Sequence, residues 1–272
     1  MDALLHMFDY GFMRTAFLAM LLLAPLLGML GTQVVSARMA FFADALGHSA
    51  LAGIAVGVLL GVSDPMLGMV GFGLVFAVGI VIGRERGTPT ADTTIGVFSS
   101  LAMALGILLL SRGGNFSKYS AFLIGDILAI DAGDLLRLAV VLAVFLVYWL
   151  LLYNRLLLTT LQPSVAESRG VSILWHEILF NVMVAVVVMV SIRWVGLLVI
   201  NAMLVVPAAA ARRLSGSVRT YHALSVGISL VSGLAGLVVS YLADVPAGAA
   251  FVVVASAFYL ISVVAARIRG RA

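Results

Sequence analysis

The amino-acid sequence predicts an all-α fold, a polytopic transmembrane helical bundle with eight to nine spans. Of the 272 residues, 63% are hydrophobic and 10% are charged, whereas soluble domains carry about 45–50% apolar and about 25% charged residues. Roughly 20 apolar residues cross the hydrocarbon core as a helix, so the apolar residues supply eight or nine crossings. The remaining residues are too few for a soluble catalytic, nucleotide-binding or nucleic-acid-binding domain. We therefore expect residues 1–272 to form a single transmembrane domain.

Apolar runs between polar residues predict each span in turn. The nine candidates are residues 14–35, 40–62, 66–83, 94–111, 134–153, 173–192, 195–211, 222–243 and 247–266. Residues 121–130 are also apolar, but about ten residues are too few to cross the hydrocarbon as a helix. We predict that this segment is re-entrant or interfacial. If one of the nine candidates is broken or interfacial, the number of spans is eight.

The basic residues predict the orientation of the chain. If the C-terminal arginines are cytoplasmic, nine spans place the N-terminus outside and eleven of the sixteen basic residues in the cytoplasm. Eight spans would place the N-terminus inside. The net charge of +4 is thus better explained by retention of positive loops in the cytoplasm than by nucleic-acid binding.

Two further patterns concern helix ends and helix packing. The run Gln162–Gly170 has a proline at its start and a glycine at its end, which predicts a short helix at the membrane surface. The alternative is an ordinary capped loop.

Gly53, Gly57 and Gly61 recur every four residues, which predicts a smooth helix face that another helix can approach closely.

Ionisable residues within spans are functional candidates because burying them in the bilayer is costly. Asp44 and His48 are four residues apart, so on a helix they share one face, where a carboxylate and an imidazole can bind one divalent cation. The alternative is a charge-assisted hydrogen bond that locks helix packing. Because the chain contains no cysteine, any metal site must use nitrogen and oxygen ligands.

Other polar residues give weaker signals. Asp92 is better explained as a helix N-cap than as a functional group, whereas the role of Asp126 is open. His176 and Glu177 lack the second histidine of the zinc-protease motif, because position 180 is phenylalanine.

Four blocks of sequence occur in an order that is specific to one family. They are Arg38–Gly53 (RMAFFADALGHSALAG), Asp92–Gly96 (DTTIG), Phe122–Leu128 (FLIGDIL) and Asn201–Arg212 (NAMLVVPAAAAR). With these blocks the chain resembles the membrane permease subunits of zinc/manganese/iron-type ABC importers. The first block is similar to the family run R-M-A-F-L-G-D-A-L-S-H-A-A-L-P-G. Ala52 replaces the common proline and Phe42-Ala43 replaces Leu-Gly, but both ligand types are kept.

The resemblance implies an assembly and a function. The chain would be a single permease domain that forms a homodimer in a bacterial-type cytoplasmic (inner) membrane. A cytoplasmic ABC ATPase dimer would hydrolyse ATP. This chain has no Walker loop of its own, because its only lysine, Lys118, does not follow glycine. An extracytoplasmic metal-binding protein would deliver a divalent ion of zinc, manganese or iron for import. The chain is then not an enzyme, and no cofactor is bound permanently.

The same resemblance implies roles for individual residues. Asp44 and His48 become transient ligands on the metal pathway. The remaining candidates are Asp92 and Asp126 as further polar groups of the pathway, and Pro163, Ala166, Glu167 and Gly170 as the ATPase-coupling helix.

Three other functions compete with this interpretation. An ABC permease for a metal chelate, such as a siderophore or cobalamin, would have a wider pathway and no need of Asp44 and His48. A gradient-driven metal carrier would need neither an ATPase nor the coupling helix. An intramembrane enzyme is disfavoured, because the sequence has no nucleophile–base or two-histidine motif.

Overall fold

The computed structural model describes residues 6–85, 91–112, 119 and 125–268, except the side chains of residues 84, 85, 91 and 92. This part of the chain is helical and contains no strand, which confirms the predicted fold class. Its α-helices are α1 (Gly11–Ser36), α2 (Ala40–Leu59), α3 (Pro65–Glu85), α4 (Ala91–Arg112), α5 (Ala132–Leu161), α6 (Pro163–Ser168), α7 (Ile173–Leu214), α8 (Val218–Ala243) and α9 (Ala247–Ile268).

All of these helices except α6 are long and apolar enough to cross a membrane, so the described residues supply eight candidate spans. The prediction of eight to nine spans is confirmed. Helix α7 covers 42 residues, about twice the roughly 20 residues that one crossing of the hydrocarbon core needs. It is interrupted at Gly196, where φ is 79° and ψ is 161°. The two parts correspond to the predicted spans 173–192 and 195–211.

The predicted re-entrant or interfacial segment at 121–130 lies partly outside the described residues. From residue 125 to residue 131 the chain forms one turn of 3-10 helix, Ile127–Ala129, between extended residues. The backbone of Gly125 packs directly on the backbone of Gly196. The described part of this segment therefore does not cross the membrane as a helix.

The described residues form two compact units, the first drawn from 1–38, 125–146 and 194–272 and the second from 39–124 and 147–193. In the first unit α8 packs between α1 and α9. A buried hydrogen bond supports the contact of α1 with α8, because the Ser225 hydroxyl donates to the carbonyl oxygen of Gly28 over 2.7 Å. Small residues at this contact let the two helices approach each other closely.

The basic ends of the helices in the first unit come together. The Arg212 guanidinium donates to the carbonyl oxygen of Val35 over 3.3 Å, and Thr32 Oγ1 lies 2.8 Å from Nδ1 of His222. The C-terminal ends of α1 and α7 and the N-terminal end of α8 thus lie at the same end of this unit. This grouping agrees with the sequence-based assignment of the arginines at positions 38, 212, 213 and 219 to one side of the membrane.

In the second unit α2 packs against α3 and α4. A Cβ atom added to Gly57 would lie 3.1 Å from the Cα atom of Gly68 on α3, and one added to Gly106 on α4 would lie 2.6 Å from the Ala52 nitrogen. The predicted close approach is therefore found at Gly53 and Gly57. Gly61 was wrongly assigned to the same face, because α2 ends at Leu59 and Gly61, with φ of 73°, terminates the helix.

Candidate functional site

Helix α2 carries the predicted metal ligands. It runs without interruption from Ala40 to Leu59, so Ala52 and the Phe42-Ala43 pair do not break the helix where the sequence departs from the family run. At Gly53, Gly57 and Gly106 its backbone or that of its neighbour lies within about van der Waals distance of the facing helix. A helix held in this way keeps its other face in a fixed orientation.

Asp44 and His48 project from the same face of α2, as predicted. Oδ2 of Asp44 lies 3.4 Å from Nε2 of His48, and the two side chains are 49% and 32% exposed. The distance is longer than the usual N–H···O hydrogen bond of about 2.7–3.2 Å. Two zinc ligands at about 2.0–2.2 Å in tetrahedral geometry lie about 3.4 Å from each other. The contact is that of an ion pair, and the same spacing also suits two atoms that bind one cation.

The pair does not form a complete metal site by itself. The described residues contain no group of three or more histidine, cysteine, aspartate or glutamate side chains that could hold a metal ion. A structural zinc site uses four protein ligands and a catalytic one uses three. One described chain thus offers two ligands, which fits an ion that passes through more closely than an ion that stays.

Helix α6 has the ends that the sequence predicted. Pro163 occupies the first turn, and Gly170 has a positive φ of 71°. The Gly170 N–H donates to the Glu167 carbonyl oxygen and the Val171 N–H donates to the Ala166 carbonyl oxygen, both over 2.9 Å. These two bonds form the Schellman motif that ends many helices. The structure therefore shows a short helix here rather than the alternative of an ordinary capped loop, and its position at the membrane surface stays a prediction.

The side chains of α6 divide into one buried residue and an exposed surface. Ala166 is 0% exposed, whereas Pro163, Glu167 and Gly170 are exposed. Ala166 is therefore covered by the chain itself, and the exposed residues are those that a partner could touch. The role of this helix in ATPase coupling stays a prediction.

The two further aspartates have separate outcomes. Asp126 caps the 3-10 turn, because its Oδ1 accepts a hydrogen bond from the Leu128 N–H over 3.0 Å. This is a structural role, and a role on the metal pathway stays a prediction. The interpretation of Asp92 as a helix N-cap was wrong, because α4 begins one residue earlier, at Ala91. The Asp92 side chain lies outside the described residues, and its role on the metal pathway stays a prediction.

One basic cluster was overlooked at the sequence level. Arg212 and Arg213 served only as markers of orientation, yet both line a cavity together with Tyr259. The signal in the sequence was a pair of arginines in the last turn of an apolar helix. The tyrosine, 46 residues further along the chain, could not be placed beside them from the sequence.

The eight candidate spans of the described residues define a class, namely a multi-pass membrane protein. The family described as the ABC 3 transport family matches residues 9–266, and the chain belongs to this family. It is therefore the membrane subunit of an ABC transporter and not the ATPase.

Individual relatives are similar along almost their whole length. The chain is 30% identical over 247 residues to the high-affinity zinc uptake system membrane protein ZnuB of Haemophilus influenzae, covering 90% of this chain and 94% of ZnuB. It is 26% identical over 254 residues to the manganese transport system membrane protein MntC of Listeria innocua, covering 93% and 90%. The solved structure of PsaBC from Streptococcus pneumoniae in complex with Fab has a chain with a TM-score of 0.84 and 28% identity, covering 96% of this chain and 94% of that one.

Proposed function

We propose that this permease imports a divalent transition-metal ion, zinc, manganese or iron, into the cytoplasm. Membership of the ABC 3 transport family supports transport, and relatives named for zinc uptake and for manganese transport support the choice of cargo. Nitrogen and oxygen ligands suit all three ions, so the ligand types leave the choice among them open. The ion is cargo rather than a resident cofactor.

Asp44 and His48 are the proposed transient ligands, and their spacing of 3.4 Å is the observation that carries the proposal. The carboxylate supplies negative charge that offsets the lost hydration of the ion. The neutral imidazole supplies a borderline nitrogen ligand. Such a ligand binds transition metals in preference to calcium and magnesium. Their partial exposure leaves both atoms open to an ion that arrives from outside the chain.

Two copies of the permease form the proposed pathway. One described chain contributes two ligands, whereas a symmetric pair of chains would contribute two Asp44 and two His48 side chains around a shared axis. Four weakly held ligands can compensate for hydration without enclosing the ion in a permanent cage.

ATP hydrolysis by a partner ATPase dimer, which binds α6 on the cytoplasmic side, supplies the energy for transport. The exposed surface of α6 around Glu167, and the buried Ala166, suit a helix that transmits motion from a partner to the rest of the chain. An extracytoplasmic binding protein delivers the ion on the other side. Both partners belong to the proposal and follow from the class of transporter.

Transport by reconstituted vesicles tests the proposal. The permease and its ATPase are incorporated into liposomes with the metal-binding protein supplied outside, and uptake of Zn²⁺, Mn²⁺ and Fe²⁺ is compared with uptake of a ferric siderophore. We expect ion uptake that requires ATP. Uptake of the chelate alone would favour a chelate permease, and ion uptake that follows an ion gradient without ATP would favour a secondary carrier. Either result would overturn the proposal.

A further inference from the structure

A basic cavity opens in the first unit, where α1, α7 and α9 meet. Its volume is about 490 Å³, and it is lined by Val35, Ala209, Arg212, Arg213, Ser215 and Tyr259. This volume falls within the range of roughly 300–1,000 Å³ that small-molecule sites occupy. The cavity contains neither Asp44 nor His48 and is no part of the proposed metal pathway.

Both guanidinium groups in the cavity are held by uncharged oxygen atoms. Arg213 donates to the Tyr259 hydroxyl over 3.3 Å and lies 5.5 Å from the centre of the tyrosine ring. Arg212 donates to the carbonyl oxygen of Val35. The ion pairs found among the described residues involve neither arginine. Two positive charges therefore share the cavity without a carboxylate from the described chain to balance them.

The position of the cavity suits the headgroup layer of a membrane. Arg212 and Arg213 lie in the last turn of α7, at the end that the positive-inside rule assigns to the cytoplasm. Guanidinium groups bind phosphate oxygens through two parallel hydrogen bonds. Basic pockets between transmembrane helices on this side recognise anionic lipid headgroups.

An apolar surface continues from the cavity along α9. The exposed residues that precede Tyr259 on this helix are apolar, namely Ala249, Val253 and Ala257, and they lead from the cavity toward the middle of the bilayer. A free phosphate ion would make no contact with this apolar surface, whereas the acyl chain of a lipid would cover it. The combination of a dicationic cavity and an adjoining apolar helix face distinguishes a lipid from a small anion.

We propose that this cavity binds the phosphate group of an anionic phospholipid from the cytoplasmic leaflet. Arg212 and Arg213 hold the phosphate oxygens, and an acyl chain lies on the exposed face of α9. The bound lipid connects the C-terminal ends of α1 and α7 to the middle of α9. The inference rests on the membrane fold and holds whichever metal the permease carries.

Lipid titration of the purified permease in detergent tests this inference. Phosphatidylglycerol, phosphatidylcholine and inorganic phosphate are added separately, and bound molecules are counted by native mass spectrometry while the unfolding temperature is recorded. The test variant is Arg212→Gln/Arg213→Gln. The matched control is Arg219→Gln, which removes an exposed arginine from the start of α8, outside the cavity.

We expect tight binding of phosphatidylglycerol and weak binding of phosphatidylcholine. Each arginine near an anionic lipid contributes roughly five-fold to affinity, so the double variant should bind about 30-fold more weakly, while the control binds normally. Arg213→Lys is a second test variant for the case that the double variant unfolds. It keeps the charge but loses the paired hydrogen bonds, so it should bind phosphatidylglycerol more weakly than the unchanged protein.

Three results would overturn the inference. Equal binding of phosphatidylglycerol to the unchanged protein and the variants would place lipid elsewhere. Equal protection by inorganic phosphate would show that the cavity takes a free anion. Complete loss of bound phosphatidylglycerol when the ATPase is added would show that an acidic group of the partner, and not a lipid, occupies the cavity in the complex.

Discussion

Gly53 on α2 and Gly68 on α3 face each other so closely that neither position has room for a methyl group. A Cβ atom at Gly53 would lie 2.8 Å from the Gly68 carbonyl oxygen, and one at Gly68 would lie 2.6 Å from the Gly53 carbonyl oxygen. The atoms in the way belong to the backbone, so a side-chain rotation cannot relieve the clash. This contact holds the helix that carries Asp44 and His48.

Gly68→Ala should therefore destabilise the permease. Overpacking of a close contact costs about 1–3 kcal/mol, because the two backbones must move apart. Gly71→Ala on the same helix is the matched control, since an added Cβ atom there meets nothing within 4 Å. Thermal unfolding in detergent should give a lower midpoint for Gly68→Ala than for Gly71→Ala. Equal midpoints would contradict the close approach of α2 and α3.

Gly170→Ala should loosen the end of α6. The positive φ of 71° is unfavourable for alanine although the space around it is open, and the expected cost is about 1–2 kcal/mol. Gly170→Asn should be milder, because asparagine tolerates this conformation better. Hydrogen exchange of the Gly170 and Val171 amides measures the effect, and Gly216→Ala, without a positive φ, should leave those amides protected. Unchanged exchange in Gly170→Ala would contradict the Schellman motif at the end of α6.

Glu167→Arg should uncouple ATP hydrolysis from transport. The side chain is exposed, so reversing its charge alters the surface offered to the ATPase without disturbing the core. Ala166 is unsuitable for this test, because a large charged residue at a fully buried position would damage the fold. Metal-stimulated ATPase activity of the reconstituted complex is the measurement.

The control for this experiment is Val245→Arg. Val245 is exposed in the connection between α8 and α9, which the sequence places on the outer side of the membrane. We expect normal coupling in this variant and strongly reduced coupling in Glu167→Arg. Equal, normal coupling in both variants would remove α6 from the ATPase interface.

The sequence predicted the spans well because their signal is local. A run of about 20 apolar residues identifies a transmembrane helix whatever it packs against. Helix ends were less certain. Helix α5 was expected to end at residue 153 but continues to Leu161, because Asn154 and Arg155 are tolerated in the helix and the stop comes only at Pro163. Helix α8 begins at Val218 rather than residue 222, because Ser217 and Thr220 form a capping box with threonine in place of the usual acidic partner.

The candidate site shows the same division between local and distant relationships. The shared face of Asp44 and His48 follows from helix geometry over a single turn, so the sequence alone was sufficient. The contact of Arg212 with Val35 joins residues that are 177 positions apart. No periodicity links two such positions, and only the packing of α1 beside α7 brings them together.

Metal uptake by Asp44→Asn and His48→Ala permeases tests the central claim most directly. Uptake of radiolabelled zinc and manganese is measured in vesicles that contain the permease and its ATPase, with the metal-binding protein supplied outside. Leu150→Ala is the control, because Leu150 is an exposed apolar residue on a different helix, α5. We predict that both variants assemble normally and that their uptake rates are lower by about ten-fold or more. Even the loss of a residue that only supports a metal ligand lowers metal affinity or activity about ten-fold. The control should transport at the unmodified rate. Unmodified uptake of both ions by both variants would contradict the account and leave Asp44 and His48 as packing residues.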